Sequence, residues 1–253
     1  MSLSFRQSDI LNIAKQDGRV MVEDLAARFD VTVQTIRRDL SDLADMGKLD
    51  RVHGGAVLRS GVSNMGYEDR RALNADTKTR IAQLCAQDIP DGASVFLNIG
   101  TSTEAVARQL LGHKDLMVVT NNINVANILV DNPNCQIVVA GGVLRRSDGG
   151  LVGNLTISTI EQFKFDYAII SCSAMDVMGD LLDFDFQEVR VSQTIISQAR
   201  QTCLVADHSK FQRTAPAKIA SLADVDIFYT DQALPEELSA QCAEWETQLK
   251  LCN

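Results

Sequence analysis

Thr32-Val33-Gln34-Thr35-Ile36-Arg37-Arg38-Asp39-Leu40, followed a little further on by Arg51-Val52-His53-Gly54-Gly55-Ala56, is the stretch on which the reading of this chain turns. Thr32 stands where a helix wants an N-cap, and Val33, Ile36, Leu40 and Leu43 recur as one apolar stripe down to Met46-Gly47. The residues left outside that stripe near its start are Gln34, Thr35, Arg37 and Arg38. Arginine presents two parallel donors to a guanine edge and glutamine a donor-acceptor pair to adenine, while hydroxyls bond phosphate, so such a helix start has the chemistry of a major-groove reader. An Arg-rich helix face is also the ordinary form of a solvated surface. The flanking sequence decides between the two.

Upstream, Val22, Leu25, Ala26 and Phe29 fall at i, i+3, i+4 and i+7, which predicts a brief amphipathic helix one short turn ahead of the recognition stripe. Before it, Phe5, Ile10, Leu11, Ile13 and Ala14 predict a first helix ending near Asp17-Gly18, with Gly18 as a left-handed cap. Downstream, Lys48 to Val57 reads as two short strands around a glycine turn, a wing from which Arg51 and His53 reach phosphate or the minor groove. His53 beside Gly54-Gly55 is equally suited to supporting the turn itself. Three helices and a wing make residues 1–58 a winged helix-turn-helix, with Thr32, Gln34, Thr35, Arg37, Arg38, Arg51 and His53 as its candidate DNA contacts and operator DNA as its partner.

The remainder has a different pattern. Residues 59–76, rich in small polar and charged side chains and without sustained periodicity, read as a linker. From residue 77 to 253 a helix at 77–88 leads into apolar runs at 94–99, 116–120, 136–140, 166–171, 202–206 and 226–230, alternating with helical stretches. That alternation predicts a mostly parallel α/β domain, in which ligands settle where strand ends lead into helix N-termini. The loops at those ends carry the candidate binding residues: Asn98, Gly100, Thr101, Ser102 and Thr103; Asn121 and Asn122; Gly141, Gly142 and Arg145; Ser173; Asp207 and Lys210. The 100–103 loop, with hydroxyls and free backbone N–H groups at a positive helix end, suits a phosphate best. Any single loop of this kind is explained by turn chemistry alone; five at one edge of one sheet point to a pocket.

Bulk properties narrow the class. The 253 residues carry a net charge of −9, yet residues 1–60 balance nine Lys/Arg against nine Asp/Glu, so the whole acidity lies beyond the DNA-reading segment. An acidic body of this kind confines DNA to a docking face. Six cysteines without a CxxC pair indicate neither zinc nor a disulfide framework, so no metal and no cofactor are expected. No export signal and no membrane-length apolar run stand out, which predicts a cytoplasmic protein without a membrane partner.

At this point the motifs carry a resemblance. Thr-Ile-Arg-Arg-Asp-Leu (35–40) with Arg-Val-His-Gly-Gly-Ala (51–56) resembles the DeoR family of bacterial regulators, and Asn-Ile-Gly-Thr-Ser, Val-Thr-Asn-Asn, Ala-Gly-Gly-Val-Leu-Arg, Asp-Gly-Gly-Leu-Val-Gly and Asp-His-Ser-Lys-Phe extend it through both segments. The resemblance implies a sensor domain like sugar-phosphate isomerases, a homo-oligomeric repressor of a carbon-catabolism regulon, and release from the operator by a phosphorylated small molecule. The segments 121–127, 147–150 and 181–185 point within the family to glycerol 3-phosphate, with another sugar phosphate as the alternative. Asn98 stands where the family usually has Asp, Ser192 where it often has Lys, and Cys172 and Ala174 flank Ser173 in place of Gly-like or aliphatic residues. Losing one acid and one base together leaves the pocket's net charge unchanged. The rival from another class, an isomerase-like enzyme moving protons through Asp207, Lys210 and Glu188, leaves the DNA-reading segment without a role, so no catalytic residue is assigned.

Overall fold

The computed structural model describes residues 3–17, 19–52, 54–58 and 65–252. The amino-terminal unit runs α1 (Phe5–Asp17), β1 (Arg19–Met21), α2 (Val22–Phe29), α3 (Val33–Asp45), β2 (Leu49–Val52) and β3 (Gly55–Leu58). Its core is the set of apolar stripes seen in the sequence: Ile10 and Ala14 of α1, Val22 and Leu25 of α2, and Ile36, Leu40 and Leu43 of α3, all buried against one another. Asp30, in the left-handed conformation, ends α2, and the Thr32 hydroxyl accepts the Thr35 N–H at 3.2 Å to start α3. The wing has one strand more than the sequence pattern suggests, because β1 pairs antiparallel with β3 in a sheet of order β1-β3-β2. Gly18 and His53 lie outside the described residues.

The stretch read as a linker contains a helix, α4 (Tyr67–Ala72), followed by α5 (Ala75–Gln87). A sheet follows, built from β4 (Ser94–Leu97), β5 (Leu116–Thr120), β6 (Cys135–Val139) and, after the β7 (Val143–Leu144) and β8 (Leu151–Val152) hairpin, β9 (Phe165–Ile170). The β10 (Ala174–Met175) and β11 (Asp180–Asp183) strands form a small side sheet with β13 (Ala217–Ser221), while β12 (Ala199–Val205), β14 (Ile227–Thr230) and β15 (Gln248–Leu251) complete the main one. The main sheet has the order β15-β14-β12-β9-β4-β5-β6, with every neighbouring pair parallel.

Buried on both faces, a parallel strand reads as a continuous apolar run, and its alternate side chains feed separate cores. Phe96, Val119, Ala168, Ile170, Leu204 and Phe228 point to one face, where α8 (Asn154–Ile160), α9 (Phe186–Gln198) and α10 (Glu236–Glu244) cover them. Val95, Leu97, Val118, Ile169, Cys203 and Tyr229 point to the other, beneath α5, α6 (Thr101–Gln109) and α7 (Ile123–Leu129). From β4 the chain winds to β5 and β6 on one side, then returns to β9 beside β4 and winds the other way. The connections leaving the carboxyl ends of the paired β4 and β9 therefore run to opposite sides at the switch in strand order, which is where an open α/β sheet has room for a ligand.

Candidate functional site

The first site is the exposed start of α3. Gln34, Arg37 and Arg38 are exposed, Thr35 half-buried, and the opposite side of the helix is sealed by Ile36 and Leu40. An ion pair orients the helix: Arg6 of α1 meets the buried Asp39 carboxylate at 2.5 Å, holding the back of α3 to the preceding helix. Thr32 and Thr35 bond each other's hydroxyls at 2.9 Å, so both serve the cap. Arg51 of the wing donates to the Arg37 carbonyl at 3.0 Å and to Ser41 Oγ at 2.8 Å. It ties the wing to α3 and fixes the backbone beneath Arg37.

The second site is a narrow polar cleft at the strand switch, lined by Gly100 to Ser102 after β4, Ser171 to Ser173 after β9, Arg70 of α4, Asp183, Glu188 and Lys210. Five of the thirteen sensor residues singled out in the sequence meet here: Gly100, Thr101, Ser102, Ser173 and Lys210. Gly100 adopts a φ of +149°, a conformation side-chain-bearing residues rarely take, and so turns the β4 end sharply into α6. The Ser173 hydroxyl bonds the buried Asp183 carboxylate at 2.8 Å.

The remaining eight residues support the cleft from outside its lining. Asn98 is buried and donates to Ser192 Oγ at 2.9 Å, so the two positions read in the sequence as an exchanged acid and base are each other's partners. Thr103 folds its hydroxyl back onto the Asn98 and Gly100 carbonyls. Asn121 donates to the Leu151 carbonyl, and Asn122 caps α7 through the Asn124 N–H. Gly141 accepts from the Thr156 hydroxyl at 2.6 Å. Arg145 is engaged by Asp148, Asp185 and Glu188. Asp207 is buried just behind Lys210, accepting from Asn74 Nδ2 at 2.9 Å and from the Ser209 N–H.

Gly142 has a steric duty. Its φ is +147°, and an added Cβ would stand 2.1 Å from Thr156 Oγ1 and 2.8 Å from the Val152 carbonyl oxygen. Thr156 is fully buried and has nowhere to retreat. We expect Gly142→Ala to destabilise the protein by about 2 kcal/mol or more, read as a lower melting temperature, with the helix-turn-helix fold retained; a melting temperature equal to that of the parent would contradict this.

Sequence reasoning missed three cations. Arg70 came from the stretch read as linker, Lys78 from the helix after it, and Arg213 from beyond the last strand-end motif. The ordinary signal for them, a basic residue on a helix face, does not distinguish a site from a surface. Lys78 and Lys210 are buried, and both nitrogens of the Arg213 guanidinium fork, together with Arg70 Nε, are buried without a hydrogen-bond partner. Burial, then the neighbouring Lys210 charge, brings the Lys78 ammonium down to about 8; Arg213 and Arg70 act in the same direction and Asp207 against it. Burial and Arg213 likewise lower Lys210, against the pull of Asp207. Burial alone would raise Asp207, but Lys210 and its hydrogen bonds hold it down to about 2. Three buried cations, Lys78, Lys210 and Arg213, converge here on Asp207, with Arg70, paired to Asp148, beside them. An uncompensated cluster of buried cations is costly unless an anion joins it.

Glu188 behaves oppositely: burial and Asp183 push its carboxyl up to about 8, and Arg145 only partly offsets them. Among the described residues no group of three or more His, Cys, Asp or Glu side chains is arranged to hold a metal ion. No described helix is long and apolar enough to cross a membrane.

Residues 6–61 match the model of the DeoR-like helix-turn-helix domain, and residues 73–232 that of the DeoR C terminal sensor domain. The chain is similar to the glycerol-3-phosphate regulon repressor of Haemophilus influenzae, 46% identical over all of this chain and 98% of that protein, and to that of Escherichia coli K12, 43% identical over the full length of both. The HTH-type transcriptional repressor CsqR of E. coli K12 is 36% identical over 97% of this chain and 94% of its own. Among solved structures, ribose 5-phosphate isomerase A from Methanocaldococcus jannaschii is similar at a TM-score of 0.41 and 12% identity, covering 55% of each chain.

Proposed function

Since the chain belongs to the DeoR family of transcriptional regulators, we propose that it is a DNA-binding repressor whose hold on its operator is released by glycerol 3-phosphate bound in the cleft at the strand switch. The observation that carries the ligand class is the cation cluster: the buried Lys78, Lys210 and Arg213 are set against Asp207, with Arg70, paired to Asp148, beside them, and a phosphate dianion would compensate the excess positive charge. The N–H groups at the start of α6 and the Thr101 and Ser102 hydroxyls supply further donors to such an anion. Asp183 and Ser173 are placed to bond the hydroxyls of a short polyol. At 43–46% identity over the whole chain, two repressors of the glycerol-3-phosphate regulon favour that compound over larger sugar phosphates.

In this reading residues 1–58 read DNA, the sensor begins by Tyr67, and two copies place their α3 helices in successive major grooves of a cytoplasmic operator. Release requires only that the ligand bind the non-operator state better; a coupling of about 1–3 kcal/mol changes operator affinity roughly fivefold to 150-fold. A panel of phosphorylated three- to six-carbon compounds, screened by thermal shift and then by operator release, tests it. Glycerol 3-phosphate is expected to raise the melting temperature and to release DNA over the same concentration range. Stabilisation by a hexose phosphate and none by glycerol 3-phosphate would move the ligand assignment.

The Lys78 ammonium gives the site a pH signature. Below about pH 8 Lys78 is already protonated and the anion binds without taking up a proton on it; above that pH the empty site is neutral at Lys78, and binding must draw a proton. Below about pH 6 the phosphate itself loses its second charge. Affinity is therefore greatest between about pH 6 and 8 and falls at higher pH, by up to about tenfold per unit from Lys78 alone and further as Glu188, which lines the cleft, loses its proton; calorimetric titrations across pH 7 to 9.5 should show this limb, and Lys78→Arg should make it shallower. Affinity unchanged across that range would remove Lys78 from the site.

A further inference from the structure

The donors an anion needs in this cleft are the donors that moor α4. Arg70 Nη2 bonds Asp148 Oδ2 at 3.2 Å, an oxygen that Arg145 also contacts at 2.8 Å. The Thr101 hydroxyl, at the start of α6, donates to the Arg70 carbonyl at 3.4 Å. The Lys78 ammonium donates to the Leu73 carbonyl at 2.6 Å and, closely, to the Arg70 carbonyl. So the side chain of Arg70 and the last carbonyls of α4 hold three of the polar groups that face or back the cation cluster. The opposite end of α4 is held by Tyr67, whose hydroxyl bonds Glu104 at 2.9 Å and receives Asn124 Nδ2 at 3.1 Å, an amide that also donates to the Asp148 carbonyl at 3.0 Å.

A guanidinium with a buried, unpartnered Nε and a single carboxylate contact through Nη2 is under-bonded for a group with five donors. Asp148 is nearly sealed from water, with 3% of its side chain exposed, and keeps Arg145 as a partner whether or not Arg70 stays. Exchanging Asp148 for an anion in the cleft thus gives Arg70 a bidentate partner and leaves no carboxylate stranded.

We propose that Arg70 is the positioning residue through which cleft occupancy is reported: a bound phosphate draws Arg70 from Asp148 and competes for the Thr101 and Lys78 donors, so that α4 leaves its moorings. Asp148 acts as a built-in competitor of the ligand. Because α4 is the first described helix after the wing, nine positions beyond Leu58 in sequence, its displacement is the first change the DNA-reading unit meets along the chain. This rests on the effector reading above and concerns how that effector acts.

Hydrogen exchange on the full chain, with glycerol 3-phosphate as the probe, tests it alongside calorimetry. In the parent protein, saturating ligand should accelerate exchange of the 70–73 amides several-fold while slowing exchange at 100–103. Asp148→Asn, which keeps the shape and an acceptor for the Gly150 N–H, should raise exchange at 70–73 without ligand and bind glycerol 3-phosphate several-fold more tightly. If Asp148→Asn fails to fold, Tyr67→Phe, which frees α4 from Glu104 and leaves every cation in place, should shift both quantities in the same directions. Ligand that binds and leaves 70–73 unchanged, or either variant binding it no more tightly than the parent, overturns the proposal and spares the effector reading. Absence of binding by the parent overturns the effector reading first, as the calorimetry alone would show.

Discussion

Lys210→Met weakens binding of glycerol 3-phosphate by roughly 2–5 kcal/mol, about thirtyfold to several thousandfold, and leaves operator affinity near that of the parent. Lys210 is 8% exposed, lines the cleft, and sits on the short helical turn His208–Gln212 that follows β12. Its charge is the partner of Asp207 in the empty protein, so the substitution has two effects of different origin. It removes a desolvated contact to the phosphate, which lowers affinity. It also leaves the buried Asp207 with weaker compensation, which lowers stability whether or not a ligand exists. Lys210→Arg separates the two: it restores the charge beside Asp207 and with it the melting temperature, while its longer, planar head fits the cleft differently and recovers ligand affinity only in part. Should Lys210→Met lose stability yet bind and respond to glycerol 3-phosphate as the parent does, Lys210 is a structural partner of Asp207 and the phosphate lies elsewhere.

Arg145 shows why such pairs of measurements matter. By sequence it belongs with Lys210, a basic residue shortly after a strand-end Gly-Gly. In the structure three carboxylates occupy it, and it lies outside the cleft lining. Its replacement should disturb the 145–150 loop and, through Asp148, the anchorage of Arg70.

What could be read from the sequence divides along the range of the interactions involved. The α2 and α3 helices were legible because their stripes of Val22, Leu25 and Ile36, Leu40 are set by neighbours three and four residues away. The parallel strands were legible because burial on both faces makes each a continuous apolar run. The β1 strand was not, since three residues carry no period and its pairing with Val57 to Gly55 is fixed only when the chain folds back. The same holds for β13, which pairs with β11 across some forty residues, while β10 and β11 form a hairpin too short to carry a period. In the cleft, the loops at β4, β9 and β12 announced themselves through glycines and hydroxyls at strand ends. Arg70, Lys78 and Arg213 did not: their role comes from convergence in space, and locally they look like residues of any solvated helix or loop. Asn98 and Ser192, ninety-four positions apart, are joined by a hydrogen bond that nothing in their local sequence announces.

The second large effect belongs to α3. Arg37→Ala or Arg38→Ala should reduce operator affinity by about 1–3 kcal/mol per half-site, up to a hundredfold or more when two copies act on a palindrome, with glycerol 3-phosphate binding unchanged. The two arginines are adjacent, so on a helix they point about 100° apart, and they cannot both meet the same base edge. If one of them reads a base and the other anchors to phosphate, the two roles leave different traces. Loss of a base contact relaxes preference at one operator position and leaves the salt dependence alone; loss of a phosphate contact weakens binding to all sequences alike and lowers the salt slope by about one. Selection from a random duplex pool by the parent protein supplies the operator, and repeating it with each variant across a salt series assigns the roles. Arg51 gives the control. Since it braces the Arg37 carbonyl and Ser41, Arg51→Ala should weaken specific and non-specific binding while broadening the preference at the position Arg37 addresses. Full operator affinity and unchanged preference in both α3 variants would mean that the exposed face of α3 is a solvated surface, and that some other element of the protein meets the DNA.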